Sequence, residues 1–155
     1  MDNNDVLRRM RYAFELNDAA MSHVFELGGV QPAPETIKLW LKKDVDPEYV
    51  LVSDFNLAAF LNGFIISRRG KKEGPQPVPE SQLSNNLILR KIKIALDLKD
   101  EDILQILELA GMKISRHELS ALFRNPAQAQ YRECKDQLLR NFMNGLQLKY
   151  REKKV

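Results

Sequence analysis

Apolar residues recur along this chain at helical spacing, and the whole pattern occurs twice. The most apolar stretch covers residues 54–66, and a weaker copy of it covers residues 136–146. Upstream of the first stretch, apolar positions three and four residues apart run from Val6 to Leu16 and again from Met21 to Leu27. Because this spacing places apolar side chains on one face of a helix, each half of the chain predicts a series of amphipathic helices.

The two halves are related by a constant shift of 82 positions. Polar residues and glycines are the informative matches, because any two amphipathic helices share apolar positions. The shift pairs Asn62-Gly63 with Asn144-Gly145, and further identical pairs include Asn3/Asn85, Asn4/Asn86, Arg8/Arg90, Asp54/Asp136 and Arg69/Arg151. We therefore interpret the chain as a tandem duplication of one helical module.

The predicted fold is all-α, with four helices in each module. The boundaries are residues 1–72 for the first copy, 73–84 for a linker and 85–155 for the second copy. A module of about 70 residues buries too little apolar surface to be more than marginally stable alone. We therefore expect two pseudo-symmetric halves that pack together through their long last helices. Pro75, Pro77 and Pro79 favour an extended linker between them.

Capping residues and glycines predict where the helices begin and end. Asn3-Asn4 predict the start of the first helix, because an Asn side chain accepts hydrogen bonds from free backbone N–H groups. Gly29 and Gly111 predict the ends of the second helices, because glycine adopts the left-handed conformation without a steric penalty. The long last helices are predicted to run from residue 47 or 48 to 69, and from 129 to 151, with a break and fresh start capped at Ser53-Asp54 as the alternative in copy one.

Composition is that of a soluble globular protein. The 155 residues are 44% hydrophobic and 29% charged, and the net charge of +3 is small for a strongly basic nucleic-acid binder. The single cysteine, Cys134, excludes an internal disulfide and a cysteine-based metal site. The longest uncharged run, residues 55–67, is shorter than the roughly 18 residues that span a bilayer. Since the N-terminus also lacks the basic and apolar run of a signal peptide, we expect a cytoplasmic protein with no membrane contact.

No sequence motif predicts catalysis. The chain lacks a glycine-rich phosphate loop, a nucleophile elbow and a ligand-spaced Cys/His cluster. His23 and His117 occupy non-equivalent positions in the two copies, which argues against a duplicated histidine-dependent site. Cys134 falls on the inward-facing stripe of the last helix, as expected for a buried and inert thiol. We predict a non-enzymatic protein with no catalytic residue, cofactor or metal.

The repeated Asn-Gly pairs lie inside helices, where glycine costs roughly 1 kcal/mol relative to alanine. One interpretation is a close helix crossing, in which glycine admits a neighbouring backbone and the asparagine bonds a nearby carbonyl. The other is a polar pocket for a ligand or partner. The residues of that candidate pocket are Asn62, Gly63, Asn144 and Gly145.

Basic residues cluster after the first cap and at the last helix of each copy. Such clusters can contact phosphates without reading bases, which suggests weak, sequence-independent binding of RNA or DNA. The favoured interpretation is that they are solvated helix ends, because Lys and Arg suit the helix dipole at a C-terminus. The candidate contacts are Arg8, Arg9, Arg11, Arg68, Arg69, Lys71, Lys72, Arg90, Lys91, Lys93, Arg151, Lys153 and Lys154.

Glu26 and Glu108 lie in the last turn of the second helix of each copy, where the helix dipole disfavours a carboxylate. A compensating cation is therefore expected. Arg8 and Arg90 are the predicted partners, as structural ion pairs within each module.

The run Phe60-Leu61-Asn62-Gly63-Phe64-Ile65-Ile66 with the following Arg69-Gly70-Lys71 resembles the YehS-like bacterial proteins, as does the run from Tyr131 to Gln137. The resemblance covers both copies and the linker. It implies a small cytoplasmic all-helical family built from a tandem pair, with no assigned activity and no established site residues.

Two functions remain from the sequence. The first is an adaptor that contacts another protein through the apolar long helix or the groove between the modules. The alternative is weak nucleic-acid binding through the repeated Arg and Lys clusters.

Overall fold

The computed structural model describes residues 1–151, which form eight α-helices, one π-helical segment and no strand. Module 1 contains α1 (Asn3–Ala13), α2 (Asp18–Leu27), α3 (Pro34–Trp40) and α4 (Asp54–Arg69). Module 2 contains α5 (Asn85–Ala95), α6 (Asp100–Leu109), α7 (Arg116–Leu122), α8 (Asp136–Leu146) and the π-helical segment Gln147–Arg151. The prediction of an all-α protein built from two copies is confirmed.

The last helices join the two modules, each by packing on the first helix of the other module. Helix α4 lies between α2 of its own module and α5 of module 2. In the equivalent arrangement, α8 and the π-helical segment pack against α6 and against α1 of module 1. The contacts between the modules are thus pseudo-twofold symmetric, because the last helix of each module packs on the first helix of the other.

Helix α4 is the centre of the hydrophobic core and is buried on most of its surface from Leu57 to Phe64. The ring of Phe60 lies 5.1 Å from that of Phe25 on α2, which in turn lies 5.6 Å from Trp40. A helix that is apolar nearly all round is stable only when neighbours cover it. The protein's own helices therefore cover the apolar surface of α4 from Leu57 to Phe64, and the part-exposed Ile65 and Ile66 follow it.

The glycines of the Asn-Gly pairs lie at helix crossings within each module. A Cβ on Gly63 would stand 1.8 Å from the Val24 carbonyl oxygen of α2, and one on Gly145 would stand 2.1 Å from the Ile106 carbonyl oxygen of α6. Glycine is therefore required at both positions for the backbones to approach this closely. The geometry is that of the close-crossing interpretation.

Asn4 and Asn86 hold the segment that leads into each last helix. Asn4 donates to the carbonyls of Trp40 at 3.0 Å and Val50 at 2.7 Å, and it accepts from the Val52 N–H at 2.9 Å. Asn86 makes the same three bonds 82 positions later, to Leu122, Arg132 and Cys134. The segments before α4 and α8 are thereby held extended. Helix α4 begins at Asp54 with Ser53 as its cap, as in the alternative for copy one, and α8 begins at Asp136, later than predicted.

The caps of the first helices also differ from the prediction. Asp2 caps α1 by accepting from the Asp5 N–H at 2.8 Å, and Ser84 caps α5 by accepting from the Leu87 N–H at 3.1 Å. Asn3-Asn4 lie one and two positions inside the helix. Their side chains are consumed by tertiary bonds, which is why they do not cap.

Asp54 and Asp136 bind backbone groups that lie just before the first helix of the opposite module. Asp54 accepts from the Leu83 N–H at 2.9 Å, and Asp136 accepts from the Met1 amine at 3.0 Å. These positions are again 82 residues apart. Both carboxylates therefore have a structural role at the junction of the modules.

The helices of residues 1–151 are each too short or too polar to form a membrane-spanning segment.

Candidate inter-module binding site

Two reciprocal hydrogen bonds cross the boundary between the modules. Lys91 Nζ on α5 donates to Asn62 Oδ1 on α4 at 2.6 Å. In the equivalent place, the Arg9 guanidinium on α1 donates to Asn144 Oδ1 on α8. The asparagine of each Asn-Gly pair thus faces the other module, while its glycine faces the crossing within its own module.

The orientation of the Asn62 amide follows from its partner. A lysine ammonium only donates hydrogen bonds, so the atom that faces Lys91 must be the amide oxygen. Asn62 Nδ2 then points elsewhere, and it is a buried donor with no hydrogen-bond partner among the described residues. Since Asn62 is only 5% exposed, water does not readily satisfy this donor.

Glu80 of the linker completes the cluster. Its Oε1 lies 3.0 Å from Lys91 Nζ, and Lys91 is 7% exposed. A buried ammonium requires both charge compensation and hydrogen bonds, which Glu80 and Asn62 supply together. The linker is consequently fixed across the α4–α5 boundary by an ion pair.

A crevice of about 490 Å³ opens beside this cluster, and we call it the α4–α5 crevice. Apolar side chains from α4 and α5 and basic groups line it, and linker residues form its remaining wall. Its lining comprises Asn62, Ile65, Ile66, Arg69, Gly70, Lys72, Gln76, Pro77, Glu80, Leu87, Arg90, Lys91 and Ile94. Gly63, Gly145 and Asn144 do not line it, so of the predicted pocket only Asn62 belongs to this crevice.

The pseudo-symmetric position holds a second crevice of about 620 Å³, lined mainly by residues of α1 and of the segment that follows α3. Arg8, Arg9 and Tyr12 occupy the places of Arg90, Lys91 and Ile94. Asn144 and Arg9 are only partly buried there. The second crevice is therefore more polar and lacks the buried unpartnered amide of the first.

Most of the candidate phosphate contacts already have partners inside the protein. The guanidinium of Arg9 bonds Asn144, and Lys91 bonds Asn62 and Glu80. Carboxylates pair with four further cations: Asp5 with Arg8, Asp18 with Arg11, Asp97 with Arg69 and Asp100 with Lys93. Backbone carbonyls accept from three arginines: that of Lys42 from Arg8, that of Phe123 from Arg90 and that of Tyr12 from Arg151. Aromatic rings contact two arginines: those of Phe14 and Phe64 contact Arg68, and that of Tyr12 contacts Arg151. Lys71 and Lys72 are exposed, and Lys153 and Lys154 lie outside the described residues.

The predicted ion pairs of Arg8 with Glu26 and of Arg90 with Glu108 do not form. Arg8 donates instead to the Lys42 carbonyl at 2.7 Å, and Arg90 donates to the Phe123 carbonyl at 2.6 Å. Both carbonyls lie just after the third helix of their module, where backbone acceptors are unpaired. The arginines therefore stabilise a helix end by hydrogen bonding.

Glu80 and the isoleucines of the crevice were not predicted as functional residues. The alternate prolines of the linker identify an extended chain but not the groove that it follows. One pattern does bear on the site: the shift of 82 pairs Arg9 with Lys91 as well as Asn62 with Asn144, so a cation and an amide recur together.

Comparison with known proteins agrees with the repeat and the resemblance. A family model described as a protein of unknown function (DUF1456) matches residues 3–70 and again residues 85–152. The chain is 39% identical over 155 residues to the uncharacterized protein YehS of Escherichia coli (strain K12), with 99% of each chain covered. No solved structure matches the chain significantly.

Proposed function

The chain belongs to the DUF1456 family of proteins of unknown function, and from this premise we propose that it is a non-enzymatic adaptor that holds a segment of another protein in the α4–α5 crevice. The observation that carries the proposal is the buried Asn62 Nδ2 donor, which has no partner among the described residues.

An extended peptide offers the acceptor that Asn62 lacks. A buried donor without a partner costs about 1–3 kcal/mol, and a bound carbonyl oxygen would remove that cost. Because Oδ1 is already engaged by Lys91, the orientation of the amide is fixed, and a ligand carbonyl would have to uncover the buried Nδ2 to bind it. This fixed orientation favours a ligand group that accepts a hydrogen bond, such as a carbonyl oxygen, over a group that donates one.

The walls of the crevice suit the side chains of such a segment. Ile65, Ile66, Leu87 and Ile94 offer apolar contacts around the polar cluster. Ile94 is 44% exposed, a large fraction for an isoleucine, and binding would remove that surface from water. Ligand sites commonly combine mostly apolar walls with a few placed polar groups.

Nucleic-acid binding has less support from the geometry. The arginines and lysines of α1 and α5 are engaged in bonds that hold the modules and helix ends together. A phosphate would have to compete with those partners, whereas a peptide carbonyl would meet an unused donor. RNA or DNA binding is therefore an alternative outcome of the experiments below.

Site-specific photo-crosslinking in cells tests the proposal. A benzophenone amino acid replaces Ile66 in the α4–α5 crevice, and in a matched control it replaces Leu148, which occupies the equivalent position in module 2. We expect a discrete protein adduct from position 66 that maps to one segment of the captured protein. A synthetic peptide of that segment should bind the purified protein.

The substitution Asn62→Asp separates specific capture from proximity. Aspartate keeps an oxygen facing Lys91 but removes the amide donor, so the adduct and the peptide binding should be lost. Asn144→Asp is the matched control and should leave both intact. Equal adducts from positions 66 and 148, or adducts unaffected by Asn62→Asp, would refute binding in this crevice.

A further inference from the structure

We infer that the segment held in the α4–α5 crevice is acidic, and that its carboxylate takes the place of Glu80 beside Lys91. This inference rests on the proposed function and adds the chemical class of the ligand. It also gives the linker a role, because Glu80 becomes the internal competitor of the ligand.

The first observation is that the crevice already holds a carboxylate. Glu80 reaches Lys91 Nζ at 3.0 Å from an extended linker, not from a helix of the core. The Glu80 side chain is 36% exposed, whereas that of Lys91 is 8% exposed. Lys91 is thus a fixed part of the crevice, whereas Glu80 belongs to the linker and its side chain is partly exposed, although the paired Oε1 is itself buried.

The second observation is the charge balance of the lining. Four cationic side chains line the crevice, against Glu80 as the single carboxylate of its lining. The cations are Arg69, Lys72, Arg90 and Lys91. The pair of Arg69 with Asp97 lies at the surface, with Asp97 88% exposed, so it screens this excess only weakly. An acidic ligand is therefore favoured over a neutral or basic one.

The third observation comes from the repeat. Arg9 makes the equivalent bond to Asn144, and no carboxylate lies within ion-pair distance of Arg9 among the described residues. The Arg9–Asn144 bond is only partly buried and forms without a carboxylate beside it, whereas the buried Lys91 has Glu80 beside it. Among the described residues, a carboxylate therefore stands beside the boundary cation only in the α4–α5 crevice, where that cation is buried.

A tethered carboxylate competes with a free one through its high effective concentration. Removing the charge of Glu80 should leave Lys91 bonded to Asn62 and open to an incoming carboxylate. The acidic ligand should then bind more tightly, and a neutral ligand should be little affected.

Fluorescence anisotropy on the full chain tests this inference with probes of defined charge. The acidic probe is a labelled hexapeptide of alternating Glu and Leu, and the neutral probe replaces each Glu by Gln. Each is titrated against the wild type, Glu80→Gln, and Glu73→Gln. The last is the matched control, because Glu73 is an exposed residue of the same linker that does not line the crevice.

We expect the acidic probe to bind more tightly than the neutral one, and Glu80→Gln to tighten the acidic probe about tenfold, equivalent to about 1.4 kcal/mol. Glu73→Gln should leave its affinity within a factor of two or so of wild type, the usual range for a neutral surface change. Asn62→Asp should abolish binding of both probes.

The outcomes separate the inference from the proposed function. Equal binding of both probes, unaffected by Glu80→Gln but lost in Asn62→Asp, would overturn the acidic specificity and leave the adaptor proposal standing. No binding of either probe to the wild type or to Glu80→Gln would overturn both. A labelled oligothymidylate that binds and gains affinity in Glu80→Gln would replace the peptide by a nucleic acid.

Discussion

Lys91 on α5 and Asn62 on α4 share a hydrogen bond of 2.6 Å across the boundary between the two modules. The same bond exists between Arg9 and Asn144 on the opposite side. The two bonds differ in burial, since Lys91 is 7% exposed whereas Arg9 is partly buried. Equivalent positions of the duplicated module have therefore acquired unequal roles.

This inequality predicts unequal stability effects. Lys91→Met should lower the free energy of unfolding by about 2 kcal/mol, because it leaves Asn62 Oδ1 and Glu80 without their buried partner. Arg9→Met should cost less than about 1 kcal/mol, since solvent can replace the lost bond. Urea denaturation followed by circular dichroism measures both. Equal losses would show that burial does not distinguish the two bonds.

The glycines at the helix crossings predict a second effect. Gly63→Ala should destabilise the protein by about 3 kcal/mol, because its Cβ would overlap the Val24 carbonyl and force α2 and α4 apart. Gly145→Ala should act similarly through the Ile106 carbonyl. Thermal unfolding gives the comparison.

Gly70→Ala is the control for that series. Gly70 has a φ of 86° and no atom near its missing Cβ, so alanine meets a backbone penalty of about 1 kcal/mol but no clash. A melting temperature that falls as much for Gly70→Ala as for Gly63→Ala would contradict the close-crossing explanation.

Asn4 predicts a third effect, on the segment before α4. Asn4→Ala removes three hydrogen bonds from a fully buried side chain, so we expect a loss of about 3 kcal/mol at about 1 kcal/mol for each bond. Asn56→Ala is a suitable control, because Asn56 lies near the start of α4 and its side chain is only partly buried. Hydrogen exchange of the Val52 amide should accelerate in Asn4→Ala and remain slow in Asn56→Ala.

The sequence predicted the repeat because the repeat is recorded in polar residues at a fixed shift. Positions such as Asn4/Asn86 and Asp54/Asp136 are invariant between copies because each makes the same tertiary bonds. The order of the helices followed from local patterns, because the glycines that end helices and the spacing of apolar residues can both be read within a few positions. Local patterns were sufficient for the architecture.

The same local reasoning misplaced the first caps and the start of α8, and it placed the start of α4 only in the alternative at Ser53-Asp54. Asn3 and Asn4 are good capping residues, but partners about fifty positions away hold their side chains. Of the residues that line the α4–α5 crevice, Asn62 was predicted as a pocket residue, and Arg69, Lys72, Arg90 and Lys91 were predicted in a separate set as phosphate contacts. Their meeting depends on how two modules exchange helices, which no short stretch of sequence contains.

Cys134 predicts low thiol reactivity. Burial raises the pKa of the Cys134 thiol to about 11, so only a small fraction is thiolate at pH 8. The native protein should react with a disulfide reagent far more slowly than the unfolded protein at that pH. If Cys134 in the folded protein reacted rapidly, and conditions that stabilise the fold did not slow the reaction, the thiol would lie at the surface. That outcome would contradict its 1% exposure.

Tyr49 and Asp2 predict an acid-dependent contribution to stability. Burial opposes ionisation of Asp2, but hydrogen bonds from the Tyr49 hydroxyl and the Asp5 N–H outweigh it and lower the pKa of Asp2. The lowered pKa contributes stability above the unfolded value of about 3.9, and this contribution is lost as pH falls through the folded value. Conversely, the bond to Asp2 raises the pKa of Tyr49 to about 12, which favours the neutral phenol in the folded state.

Tyr49→Phe should therefore destabilise the protein at pH 6 more than at pH 3, as measured by urea denaturation across that range. Tyr131→Phe is the matched control, because the position equivalent to Asp2 in module 2 is Ser84, which has no carboxylate. For Tyr131→Phe, the loss in free energy of unfolding should be the same at pH 6 and at pH 3. An equal loss in free energy of unfolding for Tyr49→Phe at both pH values would contradict this account. The hydroxyl would then contribute by packing alone, and the other groups of the α1 cap would be responsible for the lowered pKa of Asp2.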